Sequence, residues 1–153
     1  MSYDVFISYA RAVNAGAARA LRDVLVGRGV SVFLDESAID VGDRFPEVIV
    51  DALLGARVVV ALVEPVYFTR WYCAWEWRAT LAAYEVLVAS RAATAAAREA
   101  ALAGIVLVLP ADGSATALQH APPALHQTDW PRANAPDHGA TAVIDAPART
   151  FGS

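Results

Sequence analysis

The segment Val58-Val59-Val60-Ala61-Leu62-Val63 runs without a polar break and is the most apolar stretch of the chain. A half-exposed strand would alternate apolar and polar residues. This one does not, so it reads as a strand buried on both faces, in the middle of a parallel sheet covered by helices. Parallel neighbours need crossover connections, and the sequence supplies them. Val5-Phe6-Ile7 reads as a first buried strand. A helix capped by Asn14 is expected to run to about Arg28, with Ala17, Leu21, Val24 and Leu25 at helical spacing and Gly27 and Gly29 as its stop. Val30 to Leu34 reads as a second strand. A polar loop from Asp35 to Asp43 follows, then a helix from about Phe45 to Leu54.

Beyond the central strand, a helix from about Phe68 to Ala89 carries an aromatic cluster. An Ala-rich helical segment from Ala92 to Ala103 ends at Gly104. Ile105 to Leu109 reads as another strand, stopped by Pro110, and a short strand is expected near His126 to Asp129. The expected fold is therefore α/β: a flavodoxin-like open parallel sheet of about four to five strands with helices on both faces.

Composition narrows the function classes. A chain of 153 residues suits one domain. Its net charge is -4 and it shows no basic stripe, which argues against nucleic acid as a partner. Cys73 is the only cysteine, so an internal disulfide and a cysteine-rich zinc site are excluded. The histidines all fall at or after His120 and match no zinc spacing, so no metal is expected. Asp4 and Arg11 bracket only a strand-length apolar run, too short for a signal peptide. No uncharged run reaches the ~18 residues of a membrane span. A cytoplasmic location is the expectation. Residues 132–153 read as an irregular Ala/Pro-rich tail, interrupted by Pro136 and Pro147, or as a linker of the kind that can join a further domain outside this chain.

In open parallel sheets ligands bind beyond the carboxyl ends of the strands. That edge collects Ser8-Tyr9-Ala10-Arg11, Asp35-Glu36, Glu64-Pro65 and the loop at Pro110. No Gly-x-Gly-x-x-Gly follows the first strand, so a conventional dinucleotide grip is unsupported.

In order along the chain, several short segments resemble the TIR (Toll/interleukin-1 receptor) domain family. Tyr3-Asp4-Val5-Phe6-Ile7-Ser8-Tyr9 resembles its first strand, and Gly29 to Glu36 its second strand and exit. Val41-Gly42-Asp43 resembles its glycine-containing BB loop, and Leu54-Gly55-Ala56-Arg57-Val58-Val59-Val60 the lead into its third strand. Cys73-Ala74-Trp75-Glu76 matches its Cys-x-x-Glu helix segment, and Asp129-Trp130-Pro131 resembles a late motif. The resemblance covers about Ser2 to Pro131 as the domain. Two positions depart from the pattern. Tyr72 stands where the family usually has tryptophan, and Val63-Glu64-Pro65 stands where a strand usually ends in Ser-Pro.

The resemblance implies an NAD-cleaving domain of bacterial type, with Glu76 as the catalytic carboxylate. Ordinary glycoside hydrolysis uses two carboxyl groups because the leaving oxygen must be protonated. Nicotinamide leaves NAD differently, departing from a cationic pyridinium as a neutral molecule. One fixed carboxylate can then stabilise the developing ribose oxocarbenium ion. No cofactor is required, since NAD is the substrate. Helical spacing puts Tyr72 and Glu76 on one face at i and i+4, where the ring can hold ribose or nicotinamide. Arg11 can pair with the pyrophosphate. Tyr9 and Ala10 at the first strand's exit, Asp35 at the second's, and Phe45 after the BB loop complete the expected pocket.

Each assignment has a plainer alternative. Glu76 can be a solvated helix carboxylate, Arg11 an exposed loop arginine, Asp35 a rim charge and Phe45 a helix anchor. Trp71, Trp75 and Trp77 suit a core or an interface better than a ligand. Cys73 lacks a recognisable histidine partner and suits packing. The expected function is NAD glycohydrolysis, giving nicotinamide and ADP-ribose or a cyclic isomer, activated by self-assembly through the BB loop around Gly42 and Asp43 in a bacterial immune or stress response. The alternatives are a non-catalytic TIR interaction module and a nucleoside-processing enzyme of similar topology.

Overall fold

The computed structural model of the chain describes residues 3–34, 47–112, 115–126 and 129–149. Strands β1 (Val5–Ser8), β2 (Val32–Phe33), β3 (Val58–Leu62) and β4 (Ile105–Val108) form one parallel sheet in the order β2-β1-β3-β4. The helices are α1 (Arg11–Gly27), α2 (Glu47–Gly55), α3 (Trp71–Ala89), α4 (Ala95–Ala100) and α5 (Pro136–Asp145). This is the open parallel α/β sheet expected from the sequence. Every residue of β3 is buried, as its unbroken apolarity requires.

The two sheet faces follow from the period of two along each strand. Val5 and Ile7 of β1, Val58 and Val60 of β3, and Val106 and Val108 of β4 pack on one side with α1 and α5. Phe6 and Val59 turn the other way, against Ile49, Ala52 and Leu53 of α2. On that second side Ala61 and Leu107 meet Cys73, Trp77 and Leu81 of α3.

Helix α1 begins earlier than the Asn14 cap predicts. Ala10 is extended and serves as N-cap, so the helix springs directly from the end of β1. The Asn14 side chain hydrogen-bonds Glu64 instead of capping. The stop is as expected. Gly29 takes φ +84, its N–H donates to Val26 O at 3.0 Å, and the Val30 N–H donates to Leu25 O at 3.0 Å. This double closure needs a left-handed residue, which glycine supplies at no steric cost.

Strand β2 is shorter than Val30 to Leu34, because only Val32 and Phe33 pair with β1. Helix α2 is described from Glu47 onward. Helix α3 starts at Trp71, not Phe68, because Tyr67–Thr69 form a separate 3-10 turn and Arg70 is extended. The Ala-rich segment gives only the short α4, capped by the Thr94 hydroxyl accepting from Ala97 N at 3.1 Å.

The C-terminal region differs most from expectation. No strand forms at the described residues near His126 to Asp129. The chain instead meets the sheet edge by a single bridge between Leu109 and Arg132. Helix α5 then replaces the expected irregular tail over Pro136–Asp145, burying Gly139, Ala140 and Val143 against the α1 side of the sheet. Pro136 is the reason the reading failed. At the first helical position its missing N–H costs nothing and its φ is already helical, so it begins this helix and does not break one. Among the described residues no helix is long and apolar enough to cross a membrane.

Candidate functional site

Because Phe6 faces α2, the alternation along β1 sends Ser8 to that same side, toward α3. Glu76, in the second turn of α3, reaches back to the carboxyl end of β1. There the Ser8 hydroxyl donates a hydrogen bond to Glu76 Oε1. The Tyr67 hydroxyl lies 2.7 Å from Ser8 Oγ. Thr80, one turn along α3, donates its hydroxyl to the Glu76 backbone carbonyl at 2.7 Å.

Ser8, Glu76 and Thr80 are the buried polar side chains among the described residues, and Glu76 is only 4% exposed. A carboxylate taken out of water persists only when donors satisfy it, which is the service Ser8 performs. The surroundings respond to it. Burial foremost, then the charge of Glu76, holds the Tyr67 hydroxyl well above the usual phenol range, so it stays a neutral donor. Burial and then Glu76 likewise push the Cys73 thiol up, outweighing the opposing pull of Arg11 and Arg70. Cys73 Sγ points to the Tyr9 carbonyl at 3.4 Å. A buried, protonated thiol in that position packs and is a poor nucleophile.

Tyr72 lies one turn before Glu76 on the same face of α3. Its hydroxyl accepts the Arg11 N–H at 3.3 Å, and the Arg11 guanidinium carbon sits 4.9 Å from the ring centroid. That contact is a cation–π pairing. Trp71 meets Tyr72 edge-on, with ring centroids 6.0 Å apart. Arg11, Tyr72 and Glu76 are thus gathered at one end of the sheet. Arg11 is the first residue of α1, not a loop residue.

The other expected pocket residues divide. The Tyr9 side chain follows Val5 and Ile7 into the cluster on the α1 and α5 side, opposite Ser8. Ala10 packs with Tyr67 and Cys73 on the Ser8 side, has no exposed surface and is the N-cap of α1. The alternation of β1, continued past Ser8, puts these two on opposite sides of the sheet. Asp35 and Phe45, with Gly42 and Asp43 of the BB loop, fall outside the described residues.

Trp77 is buried and meets Tyr67 and Phe68 edge-on, so it belongs to the core. Trp75 is 36% exposed. His120 rests on Phe68 with centroids 4.5 Å apart, and His126 Nε2 contacts the Ala121 carbonyl at 2.7 Å. Among the described residues no group of His, Cys, Asp and Glu is placed to hold a metal. Glu64, where the family pattern has serine, is a second acid at the strand exits. Burial raises it above the ordinary 4.5, a hydrogen bond from Asn14 opposes this, and Asp112 adds to the rise.

Two residues of the cluster, Ser8 and Tyr67, have no role assigned from sequence. Ser8 carried a signal, because a polar residue closing an otherwise apolar strand must be satisfied where it is buried. Tyr67 carried none, since it reads as one more aromatic in an aromatic-rich stretch.

An open parallel sheet with a buried acid at its carboxyl edge defines an α/β domain with a candidate site where such folds bind ligands. Residues 5–119 match the family described as TIR domain, and the chain belongs to that family. Among solved structures it is similar to a metazoan TIR-STING receptor from C. gigas, at 20% identity and TM-score 0.60, covering 95% of this chain and 41% of that one. The same receptor in complex with 2',3'-cGAMP is similar at 19% identity and TM-score 0.59, with 92% and 39% covered. The TIR domain of the Toll-related receptor TRR-2 from Hydra magnipapillata matches at 17% identity and TM-score 0.51, covering 85% of this chain and 83% of that one. The chain therefore spans about two fifths of the C. gigas receptor. Among curated proteins, none matches.

Proposed function

We propose that this TIR domain cleaves NAD at the nicotinamide–ribose bond, with Glu76 as its catalytic carboxylate. The observation that carries the reading is a buried carboxylate, fixed by a hydroxyl donor, at the strand ends of a parallel sheet. In the proposed step the bond between ribose C1′ and the pyridinium nitrogen breaks, and its electron pair stays on nitrogen. Neutral nicotinamide leaves, so no general acid is used. Glu76 opposes the positive charge that develops on the ribose, and low surrounding dielectric strengthens that interaction. Water then adds to C1′ and loses a proton, giving ADP-ribose; capture by a nucleophile within the same molecule gives a cyclic isomer. Arg11 pairs with the pyrophosphate and Tyr72 holds the ribose or nicotinamide ring.

At 4% exposure Glu76 meets a ribose only after its cover opens. Self-assembly through the loop around Gly42 and Asp43 is the proposed trigger, within a cytoplasmic immune or stress response of bacterial type.

The closed state of Glu76 also favours a second reading, a non-catalytic interaction module in which the Tyr67, Ser8 and Glu76 network only ties α3 to β1. Val86, 69% exposed on α3, suits a contact face. A substrate panel separates the readings. The domain, crowded to promote assembly, is given NAD, nicotinamide riboside and free purine nucleosides, and base release is followed by chromatography. Nicotinamide from NAD supports the enzyme. Release only from nucleosides moves the activity to a different substrate class, and no release from any supports the module.

A further inference from the structure

Glu76 does not stand alone in the core; a directed pair of hydroxyls stands behind it. The serine hydroxyl has one proton, and an ionised carboxylate only accepts. The proton between Ser8 Oγ and Glu76 Oε1 therefore belongs to Ser8. Ser8 Oγ is left to accept, so at 2.7 Å the Tyr67 hydroxyl is the donor. The chain runs one way, from Tyr67 through Ser8 to Glu76.

Both supports are rigid. Ser8 is fixed by its pairing with Ala61 across β1 and β3. Tyr67 has no exposed surface. It lies edge-on to Phe68 at 5.1 Å and Trp77 at 6.5 Å, and its N–H is held by the Glu64 carbonyl at 3.0 Å. A glutamate side chain has several rotatable bonds, and a carboxylate that must face a transient cation gains from having them fixed in advance.

We propose that Ser8 is a positioning residue for Glu76, with Tyr67 as its anchor, and that together they hold the carboxylate aimed for catalysis. This rests on the NAD-cleavage reading and deepens it. Neither hydroxyl needs to touch substrate. Among the described residues, Tyr67 and Cys73 interact electrostatically with Glu76, and Arg11 and Arg70 act on Cys73. A Ser8→Ala change removes none of them.

The test has two arms. In the first, nicotinamide release from NAD is compared for wild type, Ser8→Ala, Ser8→Thr and Tyr67→Phe. Ser8→Ala is expected to lower kcat roughly 10- to 100-fold with KM within about 2-fold, Tyr67→Phe to lower it less, and Ser8→Thr to restore most of it. In the second, side-chain carboxyl carbons of 13C-glutamate protein are titrated by NMR, with Glu76 assigned from its loss in Glu76→Gln. Without its donor the charged form is less favoured, so the Glu76 titration moves to higher pH in Ser8→Ala and returns in Ser8→Thr.

The second arm needs no turnover. A shifted titration in a protein that releases no nicotinamide removes the cleavage reading and leaves Ser8 as the residue that holds this carboxylate. A titration that does not move, or a Ser8→Ala enzyme with full kcat, overturns the proposal. Tyr67→Phe keeps the ring packing and carries both arms should Ser8→Ala fail to fold.

Discussion

Ser8 closes β1, Glu76 sits in the second turn of α3, and these residues, 68 positions apart, share a buried hydrogen bond. One contact thereby ties the first strand to the helix that follows the central strand. It also explains how an acid survives at 4% exposure. Breaking one side of such a pair leaves the other unsatisfied in a low-dielectric interior, which costs more than the pair contributes when intact.

Cys73 lies one turn from Glu76 and tests whether that acid works alone. Cys73→Ala is expected to keep nicotinamide release within about 2-fold, because a buried, protonated thiol takes no covalent part. Its cost is to stability, about 1–2 kcal/mol from lost packing and the loss of the weak contact to the Tyr9 carbonyl. A fall in kcat of two orders of magnitude in a folded variant would give the thiol a chemical role.

Arg11 has its guanidinium over the Tyr72 ring and is the cation proposed for the pyrophosphate. Arg11→Ala should raise KM for NAD by about 10-fold with little change in kcat, the pattern of lost uniform binding. Steady-state kinetics decide it: an unchanged KM would remove Arg11 from substrate binding.

Glu64 provides a pH prediction. Its carboxyl is raised in the folded protein, by burial first. The native state thus binds this proton more tightly than the unfolded chain. Its contribution is most favourable below the ordinary value of 4.5 and is lost as pH rises through the raised one. Glu64→Gln removes the charge and can keep the Asn14 contact. Melting curves should show the variant gaining on wild type more at pH 7 than at pH 4, and an equal gap at both values would contradict the assignment.

Helix α5 is part of the core, and Val143 has no exposed surface. Val143→Ala should cost roughly 1.5–3 kcal/mol, a fall in Tm of several degrees for a domain of this size. A thermal scan that does not move would mean that α5 is not packed as described.

The sheet was legible because its evidence is local. Val58 to Leu62 could only be an interior strand, and Gly29 marked a helix end that a left-handed residue then made. Helix α5 was missed because Pro136 and Pro147 read as breaks, while the position of a proline within its helix depends on contacts far away in sequence. The site divides the same way. The i and i+4 spacing put Tyr72 with Glu76, and Arg11 reached Tyr72 as its place at the strand exit suggests. Tyr9 packs on the face opposite Ser8, as the alternation of β1 already implies. Tyr67 was invisible because its partnership with Ser8 spans 59 residues and exists only in the folded chain.

The central claim is that the Glu76 carboxylate performs the cleavage, and the direct measurement is nicotinamide release from NAD by wild type and Glu76→Gln at matched concentration under assembling conditions. Melting curves confirm that both are folded. The account predicts steady release by wild type and a loss of ~100-fold or more in the variant, the scale of removing a principal electrostatic stabiliser. Equal release by the two proteins would contradict it.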